Sequence, residues 1–342
     1  MTTAPATPNT PILEVTDLAV DFASRRGRLP AVEGISLTLN AGETLAIVGE
    51  SGSGKSVTAL ALMGLIPKPP GIIRSGTALY RGRDLLTLTE PELRRLRGQS
   101  IAMIFQEPMT SLNPVMKVGH QIMESVMLHT GADRRSARAR ALEMLERVQI
   151  ADAARRLDAY PHELSGGMRQ RVMIALALAC DPDILIADEP TTALDVTVQA
   201  EVLEVMRAAG EETGTAILLI THDLGVVAEM ADRVLVVYAG RSMEAGPVRE
   251  VLRHPRHPYT RGLLASMPRL QRADPDDRPA RLAEIPGQVP APGEAPPGCP
   301  FAGRCEHALQ RCHDEPQILT PQGSPEHRAA CWRAGELGEP HD

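Results

Sequence analysis

Gly49-Glu50-Ser51-Gly52-Ser53-Gly54-Lys55-Ser56 decides how the rest of this 342-residue chain is read. The stretch fits G-x-x-x-x-G-K-[ST], a pattern that carries meaning only between a strand and a helix. Residues 44–48 before it are apolar and read as a buried strand, and residues 57–65 after it read as a helix. Glycines let backbone N–H groups turn inward around phosphate oxygens, and a helix N-terminus adds a favourable dipole. In that geometry Lys55 reaches the β- and γ-phosphates of a nucleotide, and the Ser56 hydroxyl sits on Mg²⁺. A plain Gly/Ser turn is the competing reading, and it leaves the strand, the lysine and the serine unexplained.

Working outward upstream, residues 12–22 alternate apolar and polar side chains and predict a strand. Phe22 at its end is either an edge-strand core residue or a stacking platform for adenine, whose π-face suits an aromatic ring. Residues 35–39 are expected to continue into the sheet of residues 44–48 through a turn at Asn40-Ala41-Gly42. Downstream, residues 65–75 hold three prolines and Gly71 and read as a loop. A short strand at 77–80 and a short basic helix at 92–97 follow. An apolar strand, 101–105, ends at Gln106. Gln106 is either a cap or a side-chain carbonyl directed at Mg²⁺ or an attacking water. The stretch Glu107-Pro108-Met109-Thr110-Ser111-Leu112-Asn113-Pro114 suits neither a long helix nor a strand.

Helical spacing over 115–128 and 135–150, with residues 152–160, predicts an α-helical insertion at about 107–180 in an α/β core. Arg134, Arg135, Arg138 and Arg140 give it a basic face, read as solvent or partner surface. Ser165-Gly166-Gly167 then opens an apolar helix. Serine is a good N-cap, and the glycines leave backbone N–H groups uncovered, so this is a second helix start built for an anion. One phosphate loop has no need of two cradles, so the second is expected to serve a nucleotide on a partner subunit. A buried strand at 183–187 ends in Asp188-Glu189. Asp188 suits Mg²⁺ through water, and Glu189 can polarise an attacking water. A further strand, 215–220, ends in Thr221-His222, which places His222 for a γ-phosphate contact. Residues 233–238 and 241–246 read as a closing hairpin.

The composition sets limits. An apolar fraction of 43% is ordinary for a chain with a real core, and 2% aromatic residues leave that core to aliphatic side chains. A net charge of −7 argues against a nucleic-acid-coating surface. The Thr/Pro/Ala-rich residues 1–11 read as a flexible N-terminus without a signal-peptide pattern. No apolar run approaches the roughly 18 residues of a membrane span. A soluble, cytoplasmic chain is the expectation. Composition shifts near Met267: thirteen of the 29 prolines lie in residues 268–342, which predicts a loop-rich second domain. Such a domain needs staples. Cys299, Cys305, Cys312 and Cys331 are spaced C-x5-C-x6-C-x18-C, and four thiolates can hold a 4Fe–4S cluster or a tetrahedral zinc. Cys180 reads as a buried structural residue.

Over residues 12–267 the ordered set of the phosphate loop, Gln106, residues 164–170, Asp188-Glu189, Ala193-Leu194-Asp195 and His222 resembles the ATP-binding subunits of ABC transporters. The resemblance implies a P-loop ABC-type nucleotide-binding domain and a head-to-tail dimer with two ATPs sandwiched. It gives Glu189 the role of general base, Asp188 the Mg²⁺ partner and His222 the γ-phosphate sensor. Ser165, Gly166, Gly167 and Gln170 would face the partner's ATP, Asp195 would be an interface link, and Phe22 would stack on adenine. The stretch 106–114, residues 165–173, His257-Pro258-Tyr259-Thr260 and the cysteine tail look more narrowly like dipeptide and oligopeptide importer ATPases. That group carries an iron–sulfur cluster in its tail, which favours iron over zinc here, with His257 and Tyr259 as packing residues. Two membrane permease subunits, a second ATPase chain (related or identical), an extracytoplasmic solute-binding protein and a place on the cytoplasmic face of the inner membrane are implied partners and location. An importer of nickel or another small solute, a soluble ABC-type ATPase and a redox-sensing tail are the rival readings.

Overall fold

Burial patterns along the strands divide the chain between two sheets. Strands whose buried positions are interrupted by exposed ones form an antiparallel sheet. Here β1 (Pro11–Ser24) lies between β2 (Gly27–Asn40) and β4 (Gly71–Tyr80), with β5 (Arg83–Asp84) at the edge. Strands that are apolar almost throughout form a parallel core, since both faces must be covered. These are β3 (Thr44–Val48), β6 (Ile101–Ile104), β7 (Ile184–Asp188), β8 (Ala216–Thr221) and β9 (Arg233–Tyr238). The larger sheet is completed by β10 (Arg241–Pro247), β11 (Thr320–Gln322) and β12 (Ser324–Ala329), in the order β11-β12-β10-β9-β3-β8-β7-β6. The structure is a computed structural model that describes residues 11–25, 27–106, 112–192, 194–267 and 284–337. Most of the expected flexible N-terminus, residues 107–111 of the expected loop, Ala193 and the expected domain start at 268 lie outside the described residues.

Three expectations about strands change. Residues 35–39 do not continue into the sheet of 44–48; the turn, in which the Asn40 N–H donates to Glu43 (2.8 Å), carries the chain from one sheet to the other. The segment read as a loop to Ser75 is strand from Gly71, pairing residues 71–75 with Phe22 to Ala19 of β1. Its prolines end at Pro70, just before the pairing starts, so they punctuate the strand rather than prevent it. The hairpin 233–247 does not close the sheet: β9 pairs β3 on one side, and β10 pairs β12 of the tail on the other.

The helices Val118–Thr130, Arg134–Arg147 and Gly166–Leu178 pack Val118, Ile122, Val126, Ala137, Ala141, Met144, Val172 and Ile174 into one apolar cluster beside β6 and β7. The basic face of the middle helix is partly used inside this lobe. Arg138 pairs with Asp158 (3.2 Å), and Arg140 with Glu143 and Asp181 (2.7 Å each). A second cluster fills the space between the sheets, and a third joins β9 to Tyr259 and Phe301. Tyr238, Tyr259 and Phe301 pack with ring centroids 4.7–5.3 Å apart, an arrangement worth more than its area alone. The tail is further tied in by Glu244, fully buried, which accepts from the backbone N–H groups of Arg256 (2.7 Å) and His257 (2.9 Å) and meets His327 Nε2 at 2.7 Å. Among the described residues no helix is long and apolar enough to cross a membrane.

Candidate active site

Parallel strands deliver their C-terminal ends to one edge, which is where open α/β sheets place ligands. β3 ends at the phosphate loop, β6 leads to Gln106, β7 ends in Asp188 and Glu189, and β8 leads into His222. Ser51, Gly52, Ser53, Gly54, Lys55, Ser56, Gln106 and Glu189 line one cavity of about 780 Å³, counting space open to solvent.

The loop needs its glycines for identifiable reasons. A Cβ on Gly49 would lie 2.1 Å from the Val237 carbonyl oxygen. Gly54 has φ +97° immediately before the helix Lys55–Leu62, and a Cβ there would lie 2.5 Å from the Ala31 oxygen. Lys55 Nζ donates to the Gly49 and Glu50 carbonyls (2.8 and 3.0 Å), so the ammonium lies inside the loop on which phosphates would sit. Burial lowers its pKa, against the pull of Glu189, Asp188 and Glu50.

Ser56 Oγ donates to Asp188 Oδ1 (2.9 Å), so the two expected Mg²⁺ residues already touch. Burial pushes the Asp188 carboxyl up, with Glu189 adding to it, although Ser56 and Lys55 pull the other way. A hydroxyl and a carboxylate side by side suit a hard, oxygen-seeking cation, whose charge would relieve that penalty.

Glu189 sits at φ +48°, a backbone outlier of the kind found where structure holds a group for function. Its carboxylate accepts from Gln106 Nε2 (3.0 Å) and Thr192 Oγ1 (2.9 Å), and His222 Nδ1 lies 3.3 Å away. Burial alone would raise its pKa, but Thr192, His222 and Lys55 together outweigh it, and the carboxyl stays below its ordinary value. It is thus ionised and oriented, as a water-polarising base must be. Thr192 left no mark in the sequence reading; a hydroxyl three residues after Glu189 was the available signal.

The remaining candidates fall elsewhere. Ser165 Oγ accepts from the Met168 N–H (3.3 Å) and caps its helix, while Ser165 and Gly166 are exposed and not among the residues lining the cavity. A Cβ on Gly167 would lie 2.6 Å from Val198 Cγ1. Gln170, expected with the nucleotide-facing residues, is buried instead and donates to the Pro190 carbonyl, tying this helix to the loop after Glu189. Asp195 caps the helix Val196–Thr213 by accepting from the Val198 N–H (2.9 Å). Phe22 is half-buried against the core between the sheets and does not line the cavity. The cavity wall near it is made by Pro30, Ala31 and, from the tail, Pro290, Ala291, Pro292, Gly293 and Ala295.

Cys299, Cys305, Cys312 and Cys331 line one small pocket with His257, His307 and Trp332. Among the described residues no group of three or more His, Cys, Asp or Glu is arranged to hold a metal ion. The thiols are therefore gathered without converging. Burial pushes Cys299 up to about 12 and Cys331 up to about 11, with the neighbouring sulfurs adding to it. Four soft sulfur donors around one pocket nonetheless suit iron or zinc chemically. Cys180 is half-buried beside Ser125.

A sequence profile described as "ABC transporter" matches residues 32–192, and one described as "Oligopeptide/dipeptide transporter, C-terminal region" matches residues 243–312. The chain is 53% identical over 309 residues to the "Putative peptide import ATP-binding protein" of Brucella melitensis biotype 1, covering 89% of this chain and 91% of that protein. It is 50% identical over 326 residues to the "Probable peptide ABC transporter ATP-binding protein" of Sinorhizobium fredii, covering 95% and 96%. Among solved structures, a dimeric post-hydrolysis state of an ATP-binding cassette bound to ADP and Pi is similar with TM-score 0.62 and 27% identity, over 69% of this chain and 99% of that one.

Proposed function

The chain belongs to the ATP-binding subunits of ABC transporters, and from that premise we propose that it powers import of dipeptides or oligopeptides through membrane permease subunits. It is an ATPase of that family. The observation that carries the mechanism is the Glu189 carboxylate, held by Gln106, Thr192 and His222 next to the Ser56–Asp188 pair. ATP would lie on the phosphate loop with its γ-phosphate toward Glu189 and His222. Mg²⁺, held by Ser56 and Asp188 with Gln106 nearby, would neutralise charge on the phosphates. Glu189 would take the proton of the attacking water.

Ser165, exposed at its helix start, and the part-buried Gly167 beside it would contact the ATP of a second ATPase chain, with Asp195 at that interface and Phe22 against adenine. Two such chains closed on ATP and released after hydrolysis form a two-state element biased by ligand. Permease loops would couple that motion to the membrane from its cytoplasmic face. The peptide cargo rests on the names of the relatives and on the match at residues 243–312. In the tail, Cys299, Cys305, Cys312 and Cys331 would hold a 4Fe–4S cluster, which supplies a rigid cross-link between loops. Iron and sulfide assayed on anaerobically purified protein test this, and zinc at one per chain without iron would overturn it.

The deciding experiment is ATP hydrolysis by the chain assembled in lipid with its permease and partner ATPase, with solute-binding protein added empty or loaded with short peptides. Stimulation only by the peptide-loaded form is expected. Stimulation by a nickel chelate or another solute instead would replace the cargo, and failure to assemble with any permease would overturn the importer reading.

A further inference from the structure

The entrance of the phosphate loop is held from outside the ATPase core. The Glu50 backbone N–H donates to Tyr259 Oη (2.8 Å), and its carbonyl accepts from Lys55 Nζ. Its carboxylate is gripped by both ends of the Arg304 guanidinium, with Nη1 at 2.6 Å from Oε2 and Nη2 at 3.2 Å from Oε1. Arg304 lies 254 residues further along the chain, in the cysteine-bearing tail. Its side chain is only 8% exposed, and its nitrogens are all engaged. Nε donates to the Pro286 carbonyl, Nη1 also to Tyr238 Oη, and Nη2 also to the Ile285 carbonyl. Gly287, at φ +80°, turns the chain around the arginine stem, where a Cβ would lie 3.3 Å from Arg304 Cγ. The guanidinium carbon lies within 6 Å of the Tyr238 and Phe301 rings. A planar fork satisfied at every donor is a rigid anchor that a lysine cannot reproduce. The same tail contributes Pro290, Ala291, Pro292, Gly293 and Ala295 to the wall of the nucleotide cavity.

We infer that the tail is part of the nucleotide site, and that Arg304 is a positioning residue that sets the phosphate loop for ATP through Glu50. Arg304 does not line the phosphate-loop cavity itself; it acts by fixing Glu50, which lies between β3 and the rest of the loop. Loss of the anchor leaves Glu50 part-buried and unpaired, so the loop relaxes and phosphate binding weakens before chemistry does. The inference rests on the ATPase reading.

The test is Mg²⁺-dependent binding of a fluorescent ATP analogue, with steady-state hydrolysis, on the full chain carrying Arg304→Ala, Arg304→Lys, Glu50→Gln and the Ala/Gln double change. Thermal unfolding confirms the folded fraction of each. Arg304→Ala is expected to weaken ATP binding about tenfold, with kcat changing less than about twofold, because the lost interaction is made equally in ground and transition states. Arg304→Lys, which keeps charge and folds, is expected to recover only part of the affinity. The double change is expected to be no weaker than Arg304→Ala alone, because both remove one contact. Affinity within about twofold of wild type for folded Arg304→Ala or Arg304→Lys, or Arg304 and Glu50 effects that multiply as independent, would overturn the inference. Absence of ATP binding by the wild type would overturn the ATPase reading beneath it as well.

Discussion

Two helices begin with glycines and a small hydroxyl nearby, and the chain treats them in opposite ways. At Gly49–Ser56 the helix start is enclosed: Lys55 folds into it, Asp188 reaches Ser56, and Tyr259 and Arg304 pin its entrance. At Ser165–Gly167 the start is capped by the Ser165 hydroxyl, Ser165 and Gly166 face solvent, and most of the later helix is buried. Both ends carry unsatisfied N–H groups and a positive dipole. The contrast teaches that the first helix start is enclosed by its own chain while the second is left open, and the open one is where the proposed second chain would bring its nucleotide.

The strongest way to sharpen this is Glu189→Gln. Turnover should fall about a thousandfold while ATP binding persists, since only the proton acceptor is lost; rapid quench against nucleotide binding checks it. A two-chain species trapped on ATP, seen by size exclusion, would bring the two helix starts onto one nucleotide. Lys55→Ala attacks the enclosed start and should weaken ATP binding about fiftyfold by removing a charge-assisted contact, measured by titration. Ser165→Arg attacks the open start. ATP binding by the isolated chain should stay within about twofold while ATP-driven pairing is lost and turnover drops about tenfold; equal loss of binding and pairing would break the comparison. Ser165→Ala is the mildest: loss of the cap should cost about 1 kcal/mol of stability in denaturant unfolding.

Motifs at fixed local spacing were legible in the sequence because their chemistry is written over a few residues. The phosphate loop, the cap at Ser165 and the acids at the end of β7 are of this kind. Gln106 and His222 were legible for a related reason, since each follows an apolar strand whose end defines the ligand edge. What was not legible is long-range. Nothing in the residues around Arg304 marks a partner at Glu50, and a guanidinium fork leaves no periodic trace. β11 and β12 are short, hold Pro321 and Pro325, and read as loop until β10 is there to pair with them. Gly71 and the prolines before it hid half of β4 for a similar reason. Gln170 belongs to the motif read at residues 164–170 yet is buried, because its amide is taken by the distant Pro190 carbonyl, which no local pattern marks.

The seating of β12 on β10 has a consequence for the chain as it is made. Until residues 324–329 have left the ribosome, β10 is a bare strand edge with Glu244 deprived of His327. Exposed edges of this sort recruit foreign strands, and chains that wait for distant partners are the ones that aggregate. A message cut short between residues 247 and 324 would thus yield a nascent chain that holds the strand-end residues 49–222 and has one sticky side.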